Sequence, residues 1–465
     1  MLNIDEHQLM HLARQHQNRG ELQPAAHICR QIIAAAPQHS QAWHLLGVVT
    51  LQEGKYADAI PMLQRAIALQ PSHQDFHINL GIALAKLDRN EEAVGHYKTA
   101  LALAPDYDAA YYNLGCSLFA LKRLDEAADA YRHTLRLNPA HVGSRVNLGN
   151  ILAGIGETPH AEQLLREALA IRPENAAWHS NLIYALQFHP DYTGARLLAE
   201  AKAWNNRHAE PLRRHIQPHP NDRAAERRLR IGYVSPDFKD HVAGTYMMPL
   251  FRHSNRDQFE VHCFGSVMQP DRITGYFQQL AHYHDISRMS DDQAANLIRQ
   301  QRIDILIDLS LHMAGNRLRI FAMKPAPVQV TYLAYPGTTG LSTMDYRISD
   351  PYLDPLDAGE EPYTETTVRL PRSFWCFELS DNRFDSMPPA VNELPAISNH
   401  YLTFGSLNNF RKINPATLEL WGQVLAAVPH SRMIILAQAG SHQDRARDFL
   451  ETMGVSRERI RFEPL

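Results

Sequence analysis

The sequence predicts an α-helical superhelix followed by an α/β part of doubly wound parallel sheets, and three observations carry that prediction. A pattern of small and apolar residues recurs every 34 residues through the first part of the chain. From Leu229 the texture changes to short apolar strands alternating with amphipathic helices, the order that builds parallel sheets. Ile303-Asp304-Ile305-Leu306-Ile307-Asp308-Leu309 is a strand of the kind buried on both faces, and His312, Asn316 and Arg317 follow it at once. Polar residues just past the carboxyl end of a parallel strand lie where open α/β sheets bind ligands.

In chain order the repeats come first. Trp43, Leu46 and Gly47, then Ala59, Leu63, Ala66 and Pro71, match the tetratricopeptide pattern. It returns as Leu80-Gly81 with Ala93, Tyr97 and Pro105, then as Leu114-Gly115 with Ala127, Tyr131 and Pro139, then as Leu148-Gly149 with Ala161, Leu165 and Pro173. Gly20, Ala25, Cys29 and Pro37 keep the phase backwards, so the superhelix is expected over residues 6–187. A small residue lets the two helices of a hairpin cross closely, and the proline ends the second helix. Stacked hairpins bury the faces that no single one can, and leave an extended concave surface.

Asn79, Asn113, Asn147 and Asn181 recur in the same register, each directly before the leucine at the helix crossing. Asparagine is a mediocre helix former, so a row of it needs a reason. A ladder of amides gripping the backbone of an extended peptide is the functional one; ties between repeats are the plain one.

Residues 188–228 are expected as a helical connector, with a helix over 193–210 that Pro211 ends and a solvated basic flank at Arg223, Arg227, Arg228 and Arg230. A first lobe over 229–385 follows, with strands at 229–234, 259–264, 303–309 and 328–334. His241, just past the first strand, belongs on the same carboxyl edge as His312 and the glycine-bearing turn from Pro336 to Gly340. A linker over 386–400 leads to a strand at 401–406, Asn408-Asn409-Phe410-Arg411-Lys412, and the beginning of a second lobe over 401–465.

Composition narrows the function. A net charge of −4 argues against a nucleic-acid binder that works by neutralising phosphates. The four cysteines form no CxxC pair, which fits free thiols in a reducing, cytoplasmic setting, and no apolar run is long enough to span a bilayer. Histidine pairs at His7/His11, His73/His77 and His215/His219 lack an evident third ligand, so no metal site is expected from them. Asp106-Tyr107-Asp108 lies at a repeat boundary, where a solvated reading outweighs a chelating one.

The segments FHPDYT, RIGYVSPDFKDH, IDILIDLSLHMAGNR, KPAPVQVTYLAYPGTTG, MDYRISDP and SLNNFRKINP, after the repeats and in this order, resemble the O-GlcNAc transferase family, including its bacterial members. The resemblance implies an α/β GT-B glycosyltransferase part, two Rossmann-like lobes with the site in the cleft between them. It implies transfer of GlcNAc from UDP-GlcNAc to Ser/Thr hydroxyls of proteins, with inversion, without metal or other cofactor, and with acceptor polypeptides in the repeat groove. Related Spindly-type enzymes that use GDP-fucose imply O-fucosylation as an alternative, and a peptide-binding scaffold with an incomplete catalytic part is another. By motif, His241 resembles the active-site histidine and Lys412 the lysine on the diphosphate, with Asn408 and Asn409 beside it. Asp308, His312, Thr338 and Thr339 are expected on the donor side. Asn409 stands where many relatives have Gln, and Met313 where Thr is common. The second lobe is expected to be cut short, lacking most nucleotide-gripping elements.

Overall fold

A computed structural model describes residues 6–224, 226–357, 359, 362–378 and 391–464. The chain divides into two compact units, Met1–Ile155 with Thr403–Leu465, and Gly156–Leu402. The first holds four helix hairpins: α1 and α2 (Glu6–Asn18, Leu22–Ala35), α3 and α4 (Ser40–Gln52, Tyr56–Leu69), α5 and α6 (Gln74–Lys86, Asn90–Leu103), α7 and α8 (Asp108–Ala120, Leu124–Leu137), followed by α9 (Val142–Gly154). The crossings need their glycines. A Cβ on Gly47 would lie 2.7 Å from Leu63, on Gly81 2.5 Å from Tyr97, and on Gly115 2.7 Å from Tyr131, each on the second helix of the hairpin. The turn inside each hairpin passes through a left-handed residue: Gly20, Gly54, then Asp88 and Lys122.

The second unit opens with α10 (Thr158–Ile171), α11 (Ala176–Leu186) and α12 (Gly194–Trp204). The expected helix to residue 210 instead loosens into a π turn at Asn205–Ala209 and a 3-10 segment at Glu210–His215. Trp204 explains the change of pitch: it is buried, and its Nε1 donates to the Ala176 carbonyl at 3.0 Å. Arg227, expected in a solvated flank, instead pairs with the buried Asp304 at 2.7 Å and so anchors the amino end of a central strand.

Seven parallel strands follow: β1 (Leu229–Ser235), β2 (Phe259–Gly265), β3 (His282–Asp285), β4 (Ile305–Asp308), β5 (Val328–Thr331), β6 (Tyr346–Ser349) and β7 (Thr366–Arg369). Their order is β3-β2-β1-β4-β5-β6-β7. Helices α13 (Val242–His253), α14 (Arg272–Leu280), α15 (Asp291–Gln300) and α16 (Leu318–Ala322) cover the sheet. One face packs Phe238, Met247, Phe251 and Phe277. The other packs Phe264, Ile298, Leu306 and Phe321 together with Ile183 of α11 and Trp204 of α12. The last repeat helix therefore shares the core of the sheet, and packing divides the chain at Ile155–Gly156 rather than at residues 187 and 228. Of the expected linker, residues 386–390 lie outside the described residues, and α17 (Pro395–Asn399) is a single turn of helix.

In the first unit, β8 (Thr403–Ser406), α18 (Pro415–Ala427), β9 (Arg432–Leu436), α19 (Ser441–Thr452) and β10 (Ile460–Glu463) form a three-stranded parallel sheet in the order β10-β9-β8. Phe410, Leu425, Ile435 and Leu450 make its core. Asp125 of α8 accepts from the Ser441 N–H at 2.7 Å and its hydroxyl at 2.8 Å, so this sheet groups with the repeats. Among the described residues no helix is long and apolar enough to cross a membrane.

Candidate active site

The strand order reverses direction between β1 and β4, and connections leave the sheet on opposite sides there. That opens a crevice at the carboxyl ends. The two loops at this point touch: a Cβ on Gly315, whose φ is +79°, would lie 3.1 Å from Pro236. His241 follows β1 and starts α13. Its Nδ1 accepts the Ala243 N–H at 3.2 Å and stands 3.6 Å from an Asp237 carboxylate oxygen. The ring caps the helix and is 42% exposed, which leaves Nε2 outside these contacts. Burial pushes the Asp237 carboxyl above its ordinary range, against the pull of His241 and Lys239.

The other expected first-lobe residues turn inward. His312 is fully buried; its Nε2 meets the Thr339 carbonyl at 2.9 Å and its Nδ1 the Ser180 hydroxyl at 3.1 Å. Its ring packs edge-on against Trp204, and burial lowers its pKa to about 3. Asp308 accepts from the Ser310 and Leu311 N–H groups and from the Thr331 hydroxyl, closing the turn after β4. Burial raises it to about 6 despite those bonds. Thr338 donates to Glu365 at 2.6 Å, and the Thr339 N–H donates to the other oxygen of the same buried carboxylate at 2.7 Å. Gly340, expected to admit a ligand to the backbone, admits the connector instead: with φ at +74°, a Cβ there would lie 2.4 Å from the backbone of Ala201.

In the first unit, Asn408, Asn409 and Lys412 lie past β8 and are exposed. Lys412 Nζ donates to Asn408 Oδ1 at 3.2 Å, and Asn409 Oδ1 accepts the Arg411 N–H at 3.2 Å, capping the 3-10 turn that carries the lysine. A solvated ammonium with one amide partner can meet an anionic ligand without first breaking an ion pair.

The four asparagines of the ladder are half-buried. Asn79 spends its amide donors on the Asp75 carbonyl at 3.0 Å and His44 Nε2 at 2.8 Å; Asn113 donates to the Ala109 carbonyl at 2.9 Å and Asn147 to the Tyr131 hydroxyl at 3.2 Å. These bonds use the amide nitrogens of Asn79, Asn113 and Asn147, not their Oδ1 atoms. Asn79 lines a cavity of about 500 Å³ with Arg14, Gln41, Phe76 and Tyr107. Asn181, in the second unit, lines one of about 830 Å³ with Trp204, Ser290, Asp291, Gly315 and Asn316. This cavity joins a ladder position to the loop past β4.

The comparisons with known proteins decide the family. The tetratricopeptide repeat model matches residues 11–73, 47–108, 78–142 and 112–176, and the model of glycosyl transferase family 41 matches residues 199–385. A variant of the O-GlcNAc transferase of Thermobaculum terrenum superposes with a TM-score of 0.73 at 31% identity, covering 84% of this chain and 74% of that one. The chain belongs to glycosyl transferase family 41. Other relatives in the family are the probable UDP-N-acetylglucosamine–peptide N-acetylglucosaminyltransferases SPINDLY of Solanum lycopersicum and SEC of Arabidopsis thaliana. SPINDLY is 34% identical over 293 residues, 61% of this chain, and SEC 34% over 245 residues, 51% of this chain. The chain spans 31% and 25% of the length of these curated relatives.

Within this family-41 fold, sequence reasoning found the strand-end positions but missed the residues that hold them. Glu365, Ser180, Trp204 and Asp237 carry the hydrogen bonds and packing described above. Only Asp237 had a local signal, four residues before His241 in the same turn.

Proposed function

We propose that the protein of which this chain is part, or the whole, transfers GlcNAc from UDP-GlcNAc to Ser/Thr hydroxyls of proteins held along the repeat groove. The observation that carries the reading is the cavity in which Asn181 meets Gly315 and Asn316, because it leads from the ladder to the carboxyl edge of a family-41 sheet. The acceptor hydroxyl attacks the anomeric carbon from the face opposite the nucleotide. The bond from that carbon to the diphosphate oxygen breaks, the configuration inverts, and the hydroxyl proton leaves to a base. His241 is placed beside the acceptor. A neutral ring that accepts from Ala243 at Nδ1 carries its proton on Nε2, so it can donate to the sugar or acceptor oxygen from there. Lys412 meets the charge that develops on the leaving diphosphate, so that transfer needs no metal ion. The repeats act as an acceptor track, their asparagine oxygens receiving N–H groups of an extended chain.

The test is incorporation of radiolabelled sugar into peptide and protein acceptors from UDP-GlcNAc and, separately, GDP-fucose, with EDTA present. Incorporation from UDP-GlcNAc alone supports the proposal. Incorporation from GDP-fucose alone replaces the donor, and peptide binding with no transfer from either reduces this chain to a scaffold.

A further inference from the structure

A second cluster of chemistry-bearing side chains lies on β2 and β3, away from the carboxyl edge. Glu260 and His262 are two residues apart on β2 and so share one face of the sheet. His282 of the edge strand β3 pairs directly with His262 in the parallel register. One ligand atom from each of Glu260, His262 and His282 falls within 4.8 Å of the others. His262 and Glu260 side chains are 3% and 20% exposed, while His282 faces solvent. His284, next on the same face of β3, stacks on His262 with ring planes 2° apart and places Nε2 3.2 Å from its Nδ1. Packing alone gives little reason for three imidazoles and a carboxylate here.

We propose that Glu260, His262 and His282 form a binding site for one borderline divalent transition-metal ion, with zinc the best match. Two imidazole nitrogens and a carboxylate oxygen are a common zinc donor set, with water completing a tetrahedron. Zinc holds its ligand atoms about 3.3 Å from one another, given bonds of about 2.0 Å, so His282 must close in while the His262 and Glu260 atoms part slightly. The solvent-facing His282 is free to swing. His262 Nε2 now lies 2.8 Å from Glu260 Oε1. As metal takes that nitrogen, the His262 ring proton moves to Nδ1 and the His284 proton from Nε2 to Nδ1, so His284 Nε2 accepts from His262 and fixes the tautomer from behind. No oxidant or additional proton acceptor is required. Arg230 and Arg228, 3.4 Å and 3.9 Å from the Glu260 carboxylate, compete with the cation, so the site is weaker than one with a lone carboxylate. Binding would staple β3, a four-residue edge strand, to the sheet. The inference does not depend on the transfer reaction.

The test is a zinc titration of the metal-free full chain against a chromophoric chelator, paired with melting curves with and without zinc. One zinc per chain is expected, with a rise in Tm. His282→Ala, at an exposed position, should weaken binding at least tenfold and abolish the Tm response. His11→Ala should change neither, although His7 and His11 offer zinc an i, i+4 pair on α1. Substituting cobalt should give the strong visible bands of a tetrahedral site. Wild-type binding in His282→Ala, loss of binding in His11→Ala instead, or no bound zinc at all would each overturn the proposal.

Discussion

The loop after β1 and the loops after β4 and β5 leave the same edge of one sheet, yet they use their polar residues in opposite ways. The first presents His241 half to solvent. The others fold His312, Asp308, Thr338 and Thr339 into the interior, where each finds partners within the protein. A polar residue at a strand end is therefore ambiguous. It can serve a ligand, or it can hold the turn that serves one, and burial with a full set of hydrogen bonds marks the second role.

The contrast predicts separable effects. The largest concerns His241→Ala: turnover should fall at least about 100-fold, the scale of a lost transition-state hydrogen-bond donor, while stability falls by only about 1 kcal/mol for the lost cap. Steady-state kinetics with a urea melt tests both, and wild-type turnover would remove His241 from the chemistry. Next is Gly340→Ala, which touches no proposed substrate contact but forces a Cβ against Ala201 in a left-handed conformation. It should cost about 3 kcal/mol, read as a lower urea midpoint.

Third is pH. His312 has a folded pKa of about 3, and His44 and His208 of about 4, all below the ordinary value of 6.5, because burial disfavours their charged forms. A depressed folded pKa means that the unfolded chain binds the proton first. The contribution is fully present above about 6.5 and is lost as pH falls towards 3. Asp308, raised to about 6 by burial, works the other way and gains stability as pH falls below that value. His312→Gln should be less stable than the wild type at pH 7.5 and lose less on acidification to pH 5, seen in urea midpoints at the two pH values. The smallest effect belongs to the ladder: Asn181→Ala should weaken binding of long acceptors a few-fold, about 1 kcal/mol for one hydrogen bond, and leave Tm nearly unchanged.

Much of the fold was legible because its signals are local. The repeat register follows from residues that must be small at Gly47, Gly81 and Gly115, and the central strands from apolar runs. The strands β3, β6 and β7 were missed because HYHD, YRIS and TTVR carry no such run; their place depends on neighbours. The site was half legible for the same reason. His241 sits in a motif, whereas the fate of Thr338 and Thr339 is decided by Glu365, a carboxylate distant in sequence and brought near only when β7 joins the sheet. The π turn after Trp204 was equally hidden, since the indole's partner lies in another helix.

The sharing of one core by α11, Trp204 and the sheet has a practical consequence for protein engineering. A family-41 lobe given a new recognition array cannot be cut free at residue 229 or at 187. Either cut would remove Ser180 from His312, or Ala201 from Gly340, and expose the apolar face that Ile183 covers. The natural splice is Ile155–Gly156, inside the fifth repeat, between α9 and α10. For transplantation, one and a half repeats are inherited with the seven-stranded lobe, and the repeats before them carry their contacts with the three-stranded sheet.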